Sequence, residues 1–301
     1  MSAADLISLG SLVVAIVAFV VSYLAYRVQQ RTQDSTEEQN LNELREKLND
    51  LIERIQSSLA TMAQPQTTFK LDTVVSESAA LTALQGQALE ARRLARLPGI
   101  TLDWFQNMVL AYALSQAWDP ASAEEFWVGA VTAATTSQAR IRSLTARAEF
   151  YYMRGLNGDG HNDWRDARAD YRAALAELRR DPDGQGPDLV AQQAAFMELQ
   201  QAFSEFKVGN DSMAVGLVAD AFVDANSVTA PWRKISGLDR LGGLAQAMEN
   251  LVIPPREVMP DVAAELSRRG ISPDTFPAKT AALLLMSPDG SQLSGLYGES
   301  S

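Results

Sequence analysis

The amino-acid sequence predicts an all-α protein whose soluble helices follow a single N-terminal membrane-spanning helix. Three patterns in its 301 residues support this prediction. Residues Leu6–Tyr26 carry no charge, apolar residues recur at heptad spacing from Leu41, and one spacing of small and large residues recurs three times between Trp104 and Asn226. Alanine is abundant and runs of β-branched residues are few beyond the N-terminus, which favours helix over strand.

Composition excludes several classes of function. The chain has no cysteine and a single histidine, His161, so disulfides, zinc–thiolate sites and thiol catalysis are excluded. Its net charge is −11 and its basic residues form no long stripe, which argues against nucleic acid as a partner. Neither a phosphate-binding glycine loop nor a serine nucleophile elbow is present. We therefore expect no enzyme activity and predict no catalytic, cofactor or metal site.

Two acidic segments rich in glycine were weighed as metal loops. The segment GDGHND contains Asp159, His161 and Asp163, and the segment DPDGQGPD contains Asp181, Asp183 and Asp188. Glycine, asparagine and aspartate favour turns, so exposed turns are the preferred interpretation of both. In the second segment Gln192 stands where a calcium loop requires glutamate.

The uncharged run Leu6–Tyr26 has the length of a membrane span. A helix of its 21 residues is roughly 31 Å long, against about 30 Å for the hydrocarbon core of a bilayer. Arg27 and Arg31 follow the run, whereas only Asp5 and the amino terminus precede it. The positive-inside rule then places the C-terminal part in the cytoplasm. Scarce lysine beside abundant arginine and alanine suggests a bacterial source, so we expect a single-pass protein of the inner membrane.

Two seams predict self-association. Within the span, small residues that allow close approach of helices recur three and four positions apart, among them Ser11, Ala15, Ala18 and Ser22. Beyond it, the same spacing continues with Leu41, Leu44, Leu48, Leu51 and Ile55, which is compatible with a short coiled coil. Ile52 and Leu59 widen this second stripe, so the helix either joins several copies or docks on its own downstream domain.

Breaks in the pattern divide the chain into six parts. These are a transmembrane anchor (1–28), a juxtamembrane amphipathic or coiled-coil helix (29–63), a linker (64–75), a helical repeat domain (76–230), C-terminal capping helices (231–286) and a disordered tail (287–301). The boundaries follow the Pro-, Gly- and Ser-rich stretches of the sequence. Within the capping part, helices are expected near Ile235–Leu251, Pro260–Arg269 and Pro277–Met286.

One constellation of four residues occurs three times in the predicted repeat domain. Its last three members keep a spacing of four and three in every copy, as expected where small residues allow two helices to cross closely. The copies are Ala111, Ala123, Trp127 and Ala130; Ala148, Ala167, Tyr171 and Ala174; and Ala202, Ala214, Val218 and Ala221.

This constellation resembles the tetratricopeptide repeat family, most closely in the segment MRGLNGDGHNDWRDARADYRAAL, with Gly155 at the turn and Trp164 after it. The resemblance implies an α-solenoid of helical hairpins with capping helices. Three features depart from the family pattern. Trp118 stands at a turn where glycine is usual, Arg147 stands where an apolar residue is usual, and the repeat-ending proline is missing from all three copies.

In the family, the first helix of each pair lines a groove that binds a peptide. The resemblance implies that the corresponding positions here form a partner groove, together with Thr145 and Glu149: Phe105, Met108, Tyr112, Arg142, Tyr152, Phe196, Leu199, Phe203 and Phe206. Such a groove would suit an apolar or amphipathic segment. The alternative is that these aromatic residues belong to the protein's own core.

The order of anchor, heptads and repeats predicts a membrane-anchored scaffold or adaptor. We expect it to oligomerise in the lipid bilayer and to bind a cytoplasmic protein or peptide through the helical array. An oligomerising membrane effector or pore, whose assembly the helical domain controls, is the alternative function. A structural subunit of a larger membrane complex is a third.

Overall fold

The computed structural model describes residues 38–62, 71–157, 163–180, 183–230, 255–272 and 275–276, and this part of the chain is helical without any strand. The prediction of an all-α protein is therefore confirmed. The helices are α1 (residues 38–62), α2 (Leu71–Ala95), α3 (Trp104–Gln116), α4 (Pro120–Ala133), α5 (Ser137–Leu156), α6 (Asp163–Arg179), α7 (Pro187–Lys207), α8 (Asp211–Ser227) and α9 (Pro255–Arg268).

The described residues fall into two compact units. The first contains those up to Leu102 together with Tyr112–Asp119, and the second contains Asp103–Ala111 together with those from Pro120 onward.

In the first unit, α1 and α2 run antiparallel. The ammonium of Lys47 lies 2.9 Å from a carboxylate oxygen of Glu90, and the guanidinium of Arg45 donates to the carbonyl of Gly99 at 3.0 Å. The earlier residue of α1 thus meets the later position of the segment that contains α2, so the two helices run in opposite directions. Leu48 and Ile55 of the predicted oligomer seam are buried within the chain, as is Ile52. This agrees with the second arrangement that the sequence left open, in which α1 docks on its own downstream helix.

The predicted membrane span lies outside the described residues, as do Ser11, Ala15, Ala18 and Ser22 of its seam. Among the helices that the structure describes, none is both long enough and apolar enough to cross a bilayer. The anchor therefore stays a prediction.

In the second unit, α5 and α6 form an antiparallel hairpin. Arg154 pairs with Asp163 at 2.7 Å, Arg147 pairs with Asp170 at 2.7 Å, and the hydroxyl of Ser137 donates to Glu177 at 2.7 Å. As the residue number falls along α5 it rises along α6, which is the signature of antiparallel packing.

Helices α7 and α8 form the next hairpin. The side chain of Asn210, which precedes α8, donates to Glu205 near the end of α7 at 3.0 Å. At the other end, the carboxylate of Asp188 accepts from the backbone amides of Thr229 and Ala230 at 2.8 Å each. Alanines at the crossing let the two backbones approach, and α9 packs on the outside of α8.

Successive hairpins contact each other in a fixed register. Helix α7 packs against both α5 and α6, and α4 packs against α5. Gln200 donates to Glu149, and the hydroxyl of Tyr152 donates to Glu205. Both pairs join residues about 50 positions apart (51 and 53), so α5 and α7 run parallel.

All twelve positions of the repeated constellation are fully buried. They include the large members Trp127 and Tyr171 as well as the alanines that flank them. In the first copy, Gly129 of α4 allows a close approach of α3, since a Cβ there would lie 2.5 Å from Oδ1 of Asn107. The spacing therefore marks buried positions in every copy.

Two features of the second copy have physical explanations in the structure. Gly155 lies in the last turn of α5, where an added Cβ would lie 2.2 Å from Nε1 of Trp164, so only glycine leaves room for the indole. Arg147, which replaces an apolar residue of the family pattern, makes two hydrogen bonds of 2.7 Å to the carboxylate of Asp170. A paired charge thus occupies an otherwise apolar position.

Trp118 adopts a left-handed backbone conformation, with φ of 58°. The amide of Asp119 donates to the carbonyl of Leu114 at 3.0 Å, and the amide of Trp118 donates to Ser115 at 3.3 Å. These two bonds define a Schellman cap, in which the left-handed position is usually glycine. Helix α7 ends in the same motif, with Gly209 at the corresponding place.

We expect Trp118→Gly to raise the free energy of unfolding by about 1 kcal/mol, because glycine adopts positive φ without the steric cost of a side chain. The indole is 72% exposed, so its removal loses little burial. Thermal unfolding of the full chain measures the effect. Gly209→Ala is the matched control. It should destabilise by about 1 kcal/mol for the opposite reason, since alanine adopts the φ of 73° at this position only with strain. A loss of stability in Trp118→Gly would contradict this explanation.

Two boundaries differ from the sequence prediction. Helix α2 begins at Leu71, so the last residues of the predicted linker are helical. Helix α9 begins at Pro255 and continues through Pro260, where the sequence suggested a start. Met259, Val262 and Leu266 are fully buried at helical spacing on both sides of that proline, and their packing outweighs the lost backbone hydrogen bond.

Candidate functional site

The groove positions predicted on α5 and α7 lie alongside each other. The register set by the Glu149–Gln200 and Tyr152–Glu205 contacts places the two predicted stripes at matching heights. The structure therefore brings together the residues that the sequence assigned to the second and third copies.

Exposure divides these positions into two groups. Arg142 is exposed, and Phe196 keeps 55% of its surface accessible. Phe203 is half-buried, whereas the following three are buried: Tyr152, Leu199 and Phe206. Leu199 and Phe206 belong to the buried core that α7 forms with α8 and α9, and Phe203 packs against that core. For these three positions the structure agrees with the alternative that the aromatic and apolar residues belong to the protein's own core. In the first copy, Phe105 and Met108 are half-buried and Tyr112 is exposed.

A buried network of charges holds this surface in place. Glu205 of α7 is fully buried, and Nε and Nη2 of Arg168 donate to its two carboxylate oxygens at 2.6 and 2.7 Å. Tyr152 and Asn210 donate to the same carboxylate. Burial alone would raise the pKa of Glu205, but these hydrogen bonds stabilise the ionised form and hold the pKa below its usual value. One carboxylate thus ties α5, α6, α7 and the start of α8 together.

A second buried carboxylate behaves in the opposite way. Glu198 is 2% exposed, and its Oε1 accepts from Arg179 at 2.6 Å, while its Oε2 has no hydrogen-bond partner among the residues that the structure describes. Burial and the nearby charge of Asp224 raise the pKa of Glu198 to about 8, despite the ion pair. Arg179 is half exposed and also binds Asp224 at 3.0 Å, so it compensates Glu198 only in part. Burial therefore favours the neutral form of Glu198 more than that of an ordinary surface carboxyl.

Glu198 lines a surface cavity of about 550 Å³ between α6, α7 and α8. Four arginines of α6 line it as well: Arg165, Arg168, Arg172 and Arg179. Leu175, Met213 and Leu217 add apolar surface. The cavity and the predicted groove lie on opposite sides of α7. At about 100° per residue, Glu198 and Gln201 point away from the stripe that contains Phe196 and Phe203.

Sequence reasoning missed this arginine row. The four arginines are separated by three, four and seven positions, which places them on one helix face. This helical spacing is the sequence pattern from which the row could have been predicted. The row is interrupted by alanines and acidic residues along the sequence, so it does not read as a basic run.

The weighed metal loops contain residues with structural roles. The carboxylate of Asp163 is buried and bound by Arg154, and that of Asp188 caps the backbone at Thr229 and Ala230. Asp159, His161 and Asp181 lie outside the described residues. Within the described ranges, no group of three or more acidic or histidine side chains has the geometry of a metal site.

Comparison with known protein families, curated proteins and solved structures finds no match to this chain. What the protein can bind is therefore inferred from its own surfaces and buried contacts.

Proposed function

We propose that this protein is a membrane-anchored scaffold that binds a partner protein through a tetratricopeptide-like array of helical hairpins. Complete burial of all twelve repeated positions carries the proposal. That burial is the pattern expected when one helical hairpin is repeated and each copy stacks on the next.

The parallel register of α5 and α7 supports the same proposal. Stacked hairpins place their first helices side by side, which leaves one continuous surface on that side of the array. Arg142 and Phe196 are exposed there, and α5 and α7 are fastened beneath them by the Glu205 network. A rigid surface with an exposed aromatic ring suits an amphipathic partner segment, because a surface that is already ordered loses little conformational entropy when the segment binds.

The anchor is the second part of the proposal. The run Leu6–Tyr26 would hold the array at the inner membrane, with Arg27 and Arg31 keeping it on the cytoplasmic side. The full chain should then remain in membranes washed with alkaline carbonate. Val13→Arg combined with Val17→Arg should release it, since two central charges oppose insertion. Retention of this double variant would contradict the anchor.

Site-specific photo-crosslinking tests the binding surface in the full chain. A benzophenone amino acid at position 142, in membranes of the cells that make the protein, is expected to form a discrete adduct with another protein. Phe196→Glu should abolish that adduct without lowering thermal stability, because the ring is largely exposed. The same probe at Thr132, which is exposed on α4, is the control and should form no such adduct.

Two results would contradict the scaffold. Adducts that form equally from positions 142 and 132, or that survive Phe196→Glu, would show that this surface binds nothing specific. Leakage of a small dye from liposomes that contain the full chain would instead support the oligomerising pore.

A further inference from the structure

The arginine-lined cavity of α6, α7 and α8 has more positive charge than its own acidic residues neutralise. Arg168 is paired with the buried Glu205, and Arg179 is paired with Glu198 and Asp224. Arg165 and Arg172, in contrast, form no ion pair among the described residues, and both are exposed. The Nε of Arg172 donates to the carbonyl of Arg168 at 3.2 Å, so within the described part of the chain its terminal nitrogens and the guanidinium of Arg165 remain to bind an anion.

The remaining acidic groups around the cavity do not cancel this charge. Asp220 of α8 is engaged by Arg269 of α9. Glu198 lies in the wall with its Oε2 buried, and burial raises the pKa of its carboxyl, which weakens the negative charge that it brings to the cavity.

The apolar part of the lining limits what the ligand can be. Leu175 and Leu217 lie beside the arginines, and Met213 is 41% exposed. A single small anion would leave this surface in water. A peptide helix that carries both carboxylates and apolar side chains matches the arginines and the apolar lining of the cavity. Its carboxylates can pair with Arg165 and Arg172, and its apolar face can cover the methionine and the leucines.

We propose that this cavity is a second binding surface, which takes an acidic amphipathic segment of a partner protein. It goes beyond the scaffold function proposed above, because it lies on the opposite side of α7 from the exposed aromatic surface. Either surface can therefore bind whether or not the other does.

Fluorescence anisotropy of the full chain in detergent tests the proposal. The probe is a fluorescein-labelled helical peptide in which glutamates and leucines recur three or four positions apart. Binding should weaken with added salt, and it should weaken about tenfold when Arg165→Glu and Arg172→Glu are combined. Arg140→Glu reverses an exposed charge on α5 and should change affinity less than about twofold. Unchanged melting temperatures establish that the variants are folded.

Five further probes, two peptides and three simpler anionic ligands, test whether the site recognises an acidic amphipathic helix. A peptide with glutamine in place of glutamate, and one of the same composition with its acidic and apolar residues out of helical register, should both bind much more weakly than the probe. Equal binding of either peptide, or no effect of the double reversal, would overturn the proposal. The proposal would also be overturned if glutarate, inorganic phosphate or anionic phospholipid vesicles bound with the same dependence on Arg165 and Arg172. That result would assign the site to a small anion or to a membrane.

Discussion

Glu205→Ala is expected to lower the free energy of unfolding by about 3–4 kcal/mol. The substitution removes the acceptor of the bonds from Arg168, Tyr152 and Asn210 at a site where the carboxylate is fully buried. The tyrosine hydroxyl would lose its carboxylate acceptor, and the guanidinium would lose its compensating charge. Removing one member of a buried ion pair is far more costly than the pair's net contribution, because the other member stays desolvated.

Equilibrium urea unfolding of the full chain, followed by circular dichroism, measures this loss. Asp50→Ala is the matched control. It breaks an Asp50–Arg54 pair on α1 whose side chains are both more than half exposed, and it should cost less than about 0.5 kcal/mol. Glu205→Gln separates charge from shape, since it keeps the volume but offers Arg168 only one acceptor oxygen. A loss below about 1 kcal/mol for Glu205→Ala would mean that water replaces the carboxylate, which contradicts its role in fastening α5 to α7.

The same carboxylate predicts the direction of a pH dependence. The pKa of Glu205 is lower in the folded chain than in the unfolded one, so its contribution to stability is fully present above the ordinary carboxyl pKa. It is lost as the pH falls below that value, because the unfolded chain then binds the proton first. Stability of the parent protein should therefore fall on acidification more steeply than that of Glu205→Gln.

Ala174→Leu is expected to have a similarly large effect, with a loss of about 3 kcal/mol or failure to fold. Ala174 is the last member of the second copy of the repeated constellation and is fully buried on α6. A leucine there adds volume where the structure leaves none, so the neighbouring helices would have to separate or adopt strained rotamers.

The adjacent residue provides the control. Ala173→Leu makes the same change one position earlier, where the side chain is exposed, and should alter stability by no more than about 0.5 kcal/mol. Thermal and urea unfolding of the two variants, compared with the parent chain, measures the difference. Similar stabilities for Ala173→Leu and Ala174→Leu would show that the repeated spacing does not mark tightly packed positions.

The sequence by itself determined the helical class and the positions of close packing. Both depend on local periodicity, since residues three and four apart share a helix face, and small residues are required wherever two helices cross. The alanines of all three copies could therefore be located without a structure, and so could the apolar stripe of α1.

Only the tertiary structure decided how the charges are used. Arg168 and Glu205 are 37 positions apart, and no local pattern connects them. The fold likewise decided that α1 buries Leu48 and Ile55 within the chain, and that Trp118 adopts a left-handed conformation. It also placed Arg165 and Arg172 beside a cavity, where neither has an ion pair with any residue that the structure describes. The physical reason is that periodicity specifies which face of a helix is buried. Which distant side chain meets a charge on that face is determined by packing.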